Sequence, residues 1–138
     1  MDSFLEKIKQ NYEIGDVDLR TLSPVVLAYI GDAVYDVIIR CMLVLKSREQ
    51  VDKLHKSATA YVKAQAQKDI VEKILDDMNE EELGVYKRAR NAKQHAAPKN
   101  ASLADYHKAT GFEAVIGYLY LKGEEDRIFE LLNKGICY

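Results

Sequence analysis

The feature that most constrains the fold is a long apolar segment that begins at Ser23-Pro24. Ser is a good helix N-cap and Pro suits the first turn, so the pair predicts a helix start. From there to about Lys46, apolar residues fall on almost every face of a helix. A buried strand over Val37–Leu45 is the alternative, but the run is too long and lacks turn signals. A helix of this kind is buried all round, at the centre of the domain or in a subunit interface.

The rest of the chain also shows helical periodicity. The predicted helices cover residues 1–12, 24–46, 47–78 with a break near Ala64–Gln67, 79–92, 102–121 and 124–134. Asn79 with Glu82, and Ser102 with Asp105, follow the capping-box pattern. Gly123 is typical of a left-handed helix cap, and Ser47 is expected to cap the third helix. The inward positions of the first and last helices are Phe4, Leu5, Ile8, Ile128, Phe129, Leu131 and Leu132. We expect one all-α domain, 1–138, of six to eight helices.

Composition excludes several classes of protein. The chain has 138 residues, 48% of them hydrophobic, which is enough for a core and argues against disorder. With 2 Pro and 7 Gly it has few turn residues for a sandwich or barrel. No stretch approaches the roughly 20 apolar residues of a membrane span. The N-terminus lacks a secretory signal and the two cysteines show no metal spacing, so we expect a cytoplasmic protein.

Charge is distributed unevenly along the chain. The net charge is −2, yet residues 69–82 hold seven acids and one base, whereas Lys87 to Lys99 hold five bases and no acid. This second stretch suits phosphate binding, because Lys and Arg there lie at a helix end and in the following loop. The side-chain amides of Asn91, Gln94 and Asn100 in this stretch could reach ribose or base edges. The alternative is a solvated helix end. The candidate RNA-binding residues are Lys87, Arg88, Arg90, Asn91, Lys93, Lys99 and Asn100.

Two apolar helices carry isolated acids. Asp32, Asp36 and Arg40 have the spacing of one helix face, which also fits a solvent-facing stripe with an Asp36–Arg40 ion pair. Glu113 lies in the apolar run GFEAVIGYLYL, and Asp105 comes two turns earlier on nearly the same face, where it could instead be a capping residue. Acids on two buried helices could converge on Mg²⁺, which prefers carboxylate oxygens. Such a site would suit phosphoester hydrolysis.

Two motifs resemble the ribonuclease III family. LAYIGDAVYDVIIR (Leu27–Arg40) is similar to the signature helix of its catalytic domain, and Gly111–Leu121 is similar to its second signature. RNAK, PKN and the short length resemble more narrowly the stand-alone Mini-ribonuclease III family, without a double-stranded-RNA-binding domain. The resemblance implies an all-helical, homodimeric endonuclease that cuts double-stranded RNA with Mg²⁺ and leaves 5′-phosphate ends. It also implies maturation of the 23S ribosomal RNA precursor, aided by a large-subunit ribosomal protein.

Carried over by position, the resemblance makes Asp32 and Glu113 the catalytic metal ligands. Two further acids of ribonuclease III are replaced here by Ala28 and Thr110. Asp105 is our candidate substitute ligand, and Asp36 is a weaker one. A non-catalytic RNA-binding or ribosome-assembly module on the same fold is the alternative function. Metal-dependent cleavage of a long duplex RNA would separate the two.

Overall fold

The computed structural model describes residues 2–92 and 102–136. Within these ranges the chain is helical, and no strand occurs in them. The helices are α1 (Phe4–Asn11), α2 (Pro24–Ser47), α3 (Val51–Val62), α4 (Ala64–Ile74), α5 (Glu80–Asn91), α6 (Leu103–Lys122) and α7 (Glu125–Gly135). Short 3₁₀ turns occupy Leu19–Thr21 and Leu75–Asp77. The all-α prediction is confirmed, and the described helices number seven.

The helix boundaries follow the capping signals of the sequence. The Ser23 hydroxyl accepts the Val26 N–H at 3.2 Å, with Pro24 in the first turn of α2. At the start of α5, Asn79 and Glu82 form a reciprocal capping box, with bonds of 2.8 and 3.0 Å. Gly123 ends α6 with φ of 84°, a conformation that favours glycine. These predicted boundaries are confirmed.

Helix α6 is the centre of the fold. Its residues from Ala109 to Leu119 are buried except for Glu113, which is partly exposed. Helices α2, α4 and α5 pack around it, and α7 closes the end against α4. The sequence places the all-round burial on α2 instead, and that expectation is wrong for the isolated chain. Helix α2 buries one side against α6 and leaves Tyr29, Val37 and Leu45 exposed.

Helices α2 and α6 cross with their backbones in contact at two glycines. A Cβ atom on Gly31 would lie 1.7 Å from the Glu113 carbonyl oxygen, and one on Gly117 would lie 2.0 Å from the Leu27 carbonyl oxygen. Any side chain at either position would force the helices apart. The two glycines therefore fix the distance between the helix that carries Asp32 and the helix that carries Glu113.

Three local expectations are wrong. Ser47 is the last residue of α2 and its hydroxyl donates back to the Leu43 carbonyl, because α3 begins later, after Gln50. Phe4 and Phe129 are exposed, although Leu5 and Ile128 beside them are buried. In α1 and α7, therefore, the buried side of the helix is narrower than the set of apolar residues on it. The break predicted near Ala64–Gln67 does occur, one residue earlier, at Lys63, whose extended backbone separates α3 from α4.

None of the helices in the described ranges is long and apolar enough to cross a membrane, as the sequence predicts.

Candidate active site

The close contact of α2 with α6 at Gly31 and Gly117 brings Asp32 and Glu113 together. Asp32 follows Gly31 on α2, and Gly31 touches the backbone of Glu113 on α6. The two carboxyl groups lie close enough for Asp32 to raise the pKa of Glu113. Asp32 is exposed to solvent, whereas Glu113 is mostly covered. The pair thus has one carboxyl group open to solvent and one held in the protein.

Burial dominates the electrostatics of the pair. It raises the pKa of Glu113 to about 9, and the hydrogen bond and negative charge of Asp32 raise it further in the same direction. The side-chain amide of Gln67 acts against this rise through its own hydrogen bond. With its pKa raised to about 9, Glu113 holds a proton at neutral pH in the metal-free protein. A cation placed between the carboxyl groups would displace that proton.

This donor set fits Mg²⁺. Magnesium is usually bound by one or two carboxylates and keeps several waters, so two acids on facing helices are sufficient. The described part of the chain contains no cluster of three or more Asp, Glu, His or Cys side chains with metal-site geometry. The position of the first missing acid, Ala28, is buried, and at the second the Thr110 hydroxyl donates to the Tyr106 carbonyl at 2.9 Å. Neither position supplies a carboxylate, and the Thr110 side chain is neutral and buried.

Asp105 lies apart from the pair. Eight helical residues separate it from Glu113, which is about 12 Å along the α6 axis. Its backbone N–H donates to the Ser102 hydroxyl at 3.0 Å, as the capping pattern predicts. The pKa of Lys68 on α4 is raised mainly by Asp69, and Asp105 adds a smaller rise, which places Asp105 near that lysine. The structure does not bring Asp105 to the carboxyl pair, and its role as a ligand stays a prediction.

Asp36 has its own partner. It forms an ion pair with Arg40 at 3.0 Å, one turn along α2. The Arg40 side chain is mostly in solvent and the Asp36 side chain is partly exposed, so the contact is the ordinary surface pair that the spacing allows. This arrangement disfavours Asp36 as a ligand.

The basic stretch begins on the last turns of α5. Lys87, Arg88 and Asn91 are exposed there. The Arg90 guanidinium lies over the Tyr86 ring at 5.4 Å and its Nε donates to the Asn91 side chain at 3.2 Å. The remaining candidates Lys93, Lys99 and Asn100 lie outside the described residues. Exposed cations on α5 keep the RNA-binding interpretation open.

Gln67 is a site residue that the sequence does not reveal. It lies in the polar run AQAQKD, where one glutamine among others carries no signal. In the fold it is only 3% exposed and contacts Glu113. Burial of α4 against α6, which a single sequence does not show, makes it part of the site.

Comparison with known proteins agrees with the motifs. Residues 25–124 match the family described as Ribonuclease III domain. Mini-ribonuclease 3 of Clostridium tetani is 50% identical over 84% of this chain and 78% of its own, and that of Brevibacillus brevis is 45% identical over 87% and 90%. A crystal structure of a Fusobacterium nucleatum protein superposes with a TM-score of 0.76 at 35% identity, covering 86% of this chain and 94% of that one. The chain therefore belongs to the ribonuclease III family, the metal-dependent endoribonucleases of double-stranded RNA.

Proposed function

We propose that this chain hydrolyses double-stranded RNA with Mg²⁺ held by Asp32 and Glu113. The contact between these two carboxyl groups, on the helices joined by Gly31 and Gly117, carries the proposal. A bound Mg²⁺ supplies the positive charge that activates a water and stabilises the negative charge on the reacting phosphate. Hydrolysis in which a water oxygen bonds to phosphorus, the bond to the 3′-oxygen breaks and that oxygen takes up a proton would give 5′-phosphate and 3′-hydroxyl ends.

Each residue of the pair has a distinct task. Glu113 gives up its proton when the ion binds, and its burial keeps the carboxylate in one place. Asp32, which solvent can reach, holds the ion at the surface where an RNA phosphate can approach. Exposed Lys87 and Arg88 on α5 supply positive charge for the RNA backbone. A-form RNA is recognised mainly through its backbone and 2′-hydroxyls, so sequence preference should be modest.

We propose further that the active form is a homodimer. Five of the exposed apolar residues of α2 fall at helical spacing on one side: Val26, Tyr29, Ala33, Val37 and Val44. We call this set the α2 stripe. A stripe of this length is an unusual surface for a soluble monomer. A second copy, related by a two-fold axis, would cover it with the same residues.

As substrate we propose the 23S ribosomal RNA precursor, in the cytoplasm, with a large-subunit ribosomal protein as helper. The support is the high identity to proteins named Mini-ribonuclease 3, together with the motifs RNAK and PKN.

The test is cleavage of a long duplex RNA under single-turnover conditions with and without Mg²⁺. Asp32→Asn keeps the volume of the side chain and removes its charge, so the rate should fall by orders of magnitude while the fold and RNA binding remain. Glu113→Gln should behave in the same way. Asp36→Asn is the matched control on α2 and should cut at close to the wild-type rate. Asp105→Asn tests the remaining candidate ligand.

Near wild-type cleavage by Asp32→Asn would remove this residue from the mechanism. A wild-type protein that binds duplex RNA but cuts none with Mg²⁺ would favour the non-catalytic RNA-binding module.

A further inference from the structure

Gln67 links the joint between α3 and α4 to the carboxyl pair. Its Nε2 donates to the Val62 carbonyl at 2.8 Å, across Lys63 where the helices change direction. The same side chain lies beside the Glu113 carboxyl group and lowers its pKa, against the larger effect of burial. A glutamine amide has two N–H donors, so one side chain can serve both contacts.

The oxygen of the Gln67 side-chain amide has no hydrogen-bond partner among the described residues. Oε1 of Gln67 is buried and has no hydrogen-bond partner in the ranges 2–92 and 102–136. A buried carbonyl oxygen without a partner costs free energy, and buried polar groups in folded proteins are nearly always bonded. This unpartnered oxygen belongs to a side chain whose Nε2 serves the helix joint and which lies beside Glu113.

We propose that Gln67 is the third member of the cation site. Nε2 holds Glu113 in the orientation in which it binds the ion, and Oε1 accepts a hydrogen bond from the ion's hydration shell. Mg²⁺ keeps several of its waters, and an amide oxygen can accept a hydrogen bond from one of them. Gln67 then supplies, from α4, polar contacts that Ala28 and Thr110 do not supply. This inference rests on the proposed Mg²⁺ site and adds a positioning residue to it.

The first test measures Mg²⁺ affinity of the RNA-free full chain by isothermal titration calorimetry. Gln67→Met keeps an unbranched side chain of similar length and removes both polar atoms. We expect its Mg²⁺ affinity to fall at least tenfold. Tyr35→Phe is the matched control, because the Tyr35 hydroxyl donates to the Tyr61 carbonyl at 2.8 Å, next to Val62, and the variant loses one buried bond at the same joint. It should bind Mg²⁺ within about twofold of wild type.

Equal affinity in Gln67→Met and wild type would overturn the role of Gln67 and leave the proposed function standing. A wild-type chain without measurable Mg²⁺ affinity would overturn the metal site itself, and Gln67 with it.

A second measurement uses the wild-type chain and stays decisive if Gln67→Met does not fold. The side-chain amide signals of Gln67 should shift during an Mg²⁺ titration followed by nuclear magnetic resonance, and saturate together with the calorimetric binding. Gln65, exposed one half-turn earlier on α4, is the internal control and should stay in place. Signals of Gln67 that do not move while Mg²⁺ binds would overturn the proposal.

Discussion

At the scale of single residues, Gly31 has the least room for change. A Cβ there would meet the Glu113 backbone, which cannot rotate away as a flexible side chain can. We expect Gly31→Ala to push α2 from α6, lower the melting temperature and weaken Mg²⁺ binding by separating Asp32 from Glu113. Thermal unfolding and calorimetry measure both effects.

Gly84 on α5 is the matched control for this prediction. A Cβ at Gly84 would meet only the Arg88 guanidinium, at 3.3 Å, and that side chain can move. Alanine is favoured over glycine inside helices by about 1 kcal/mol, so Gly84→Ala should be neutral or stabilising. A Gly31→Ala protein as stable as Gly84→Ala would show that the backbone contact has little importance.

The residues predicted from sequence are those whose local chemistry is distinctive. Ser23-Pro24 and the Asn79–Glu82 box are helix starts because their polar atoms serve backbone groups a few residues away. Asp32 and Glu113 are identifiable because an acid in an apolar helix needs a partner. Gln67 has no such local signal, since its function depends on contacts with α3 and α6. Phe129 likewise shows that periodicity cannot tell how wide the buried side of a helix is.

At the scale of elements, α5 and α7 are held by a buried ion pair. Arg127 on α7 donates to both Glu82 carboxylate oxygens, at 2.8 and 2.9 Å, and to the Asp77 carbonyl. Glu82 is 1% exposed. Burial pushes its pKa upward, but Arg127 and the Asn79 N–H outweigh burial and leave the pKa below its usual value. The ionised form is therefore favoured by folding.

This pair predicts a pH dependence of stability. With its pKa lowered in the folded state, Glu82 stabilises the protein above its unfolded pKa of about 4.3, and this contribution is lost as pH falls through the folded pKa. Glu82→Gln should cost about 2 kcal/mol at pH 7, since Arg127 loses the Glu82 carboxylate but keeps its ion pair with Glu130 at 3.0 Å. Urea unfolding at pH 7 and pH 3 should show a smaller loss on acidification for the variant. Equal losses for variant and wild type would contradict the linkage.

The end of α5 gives a second prediction at this scale. Removing two charges in Arg88→Ala/Arg90→Ala should weaken duplex RNA binding and lower the slope of log Kd against log salt by about 2. At low salt and saturating protein the single-turnover cleavage rate should recover, because the carboxyl pair is intact. Lys7→Ala/Lys9→Ala, on α1, removes the same charge as a control. An unchanged salt slope in the α5 variant would show that this helix end is only solvated.

At the scale of the whole molecule, the proposed homodimer would have the α2 stripe in its interface. Light scattering at micromolar concentration should give twice the chain mass of 15.7 kDa. Tyr29, 81% exposed in the isolated chain, lies within the stripe. Tyr29→Glu would place a negative charge from each copy in the dimer interface, so the dimer should dissociate. Phe4→Glu places the same charge on exposed α1 and should leave the dimer intact. A monomeric wild-type chain would contradict the proposal.

The late position of α6 in the chain has a consequence for synthesis on the ribosome. Its core residues emerge about 80 positions after the start of α2, so the nascent chain exposes the apolar side of α2 until α6 has been made. Closing so long a loop makes the α2–α6 contact a late event in folding. Because that contact also brings Asp32 to Glu113, the proposed active site forms in the same folding step as the core. A nascent chain that ends before α6 would therefore have Asp32 without Glu113, and so an incomplete site.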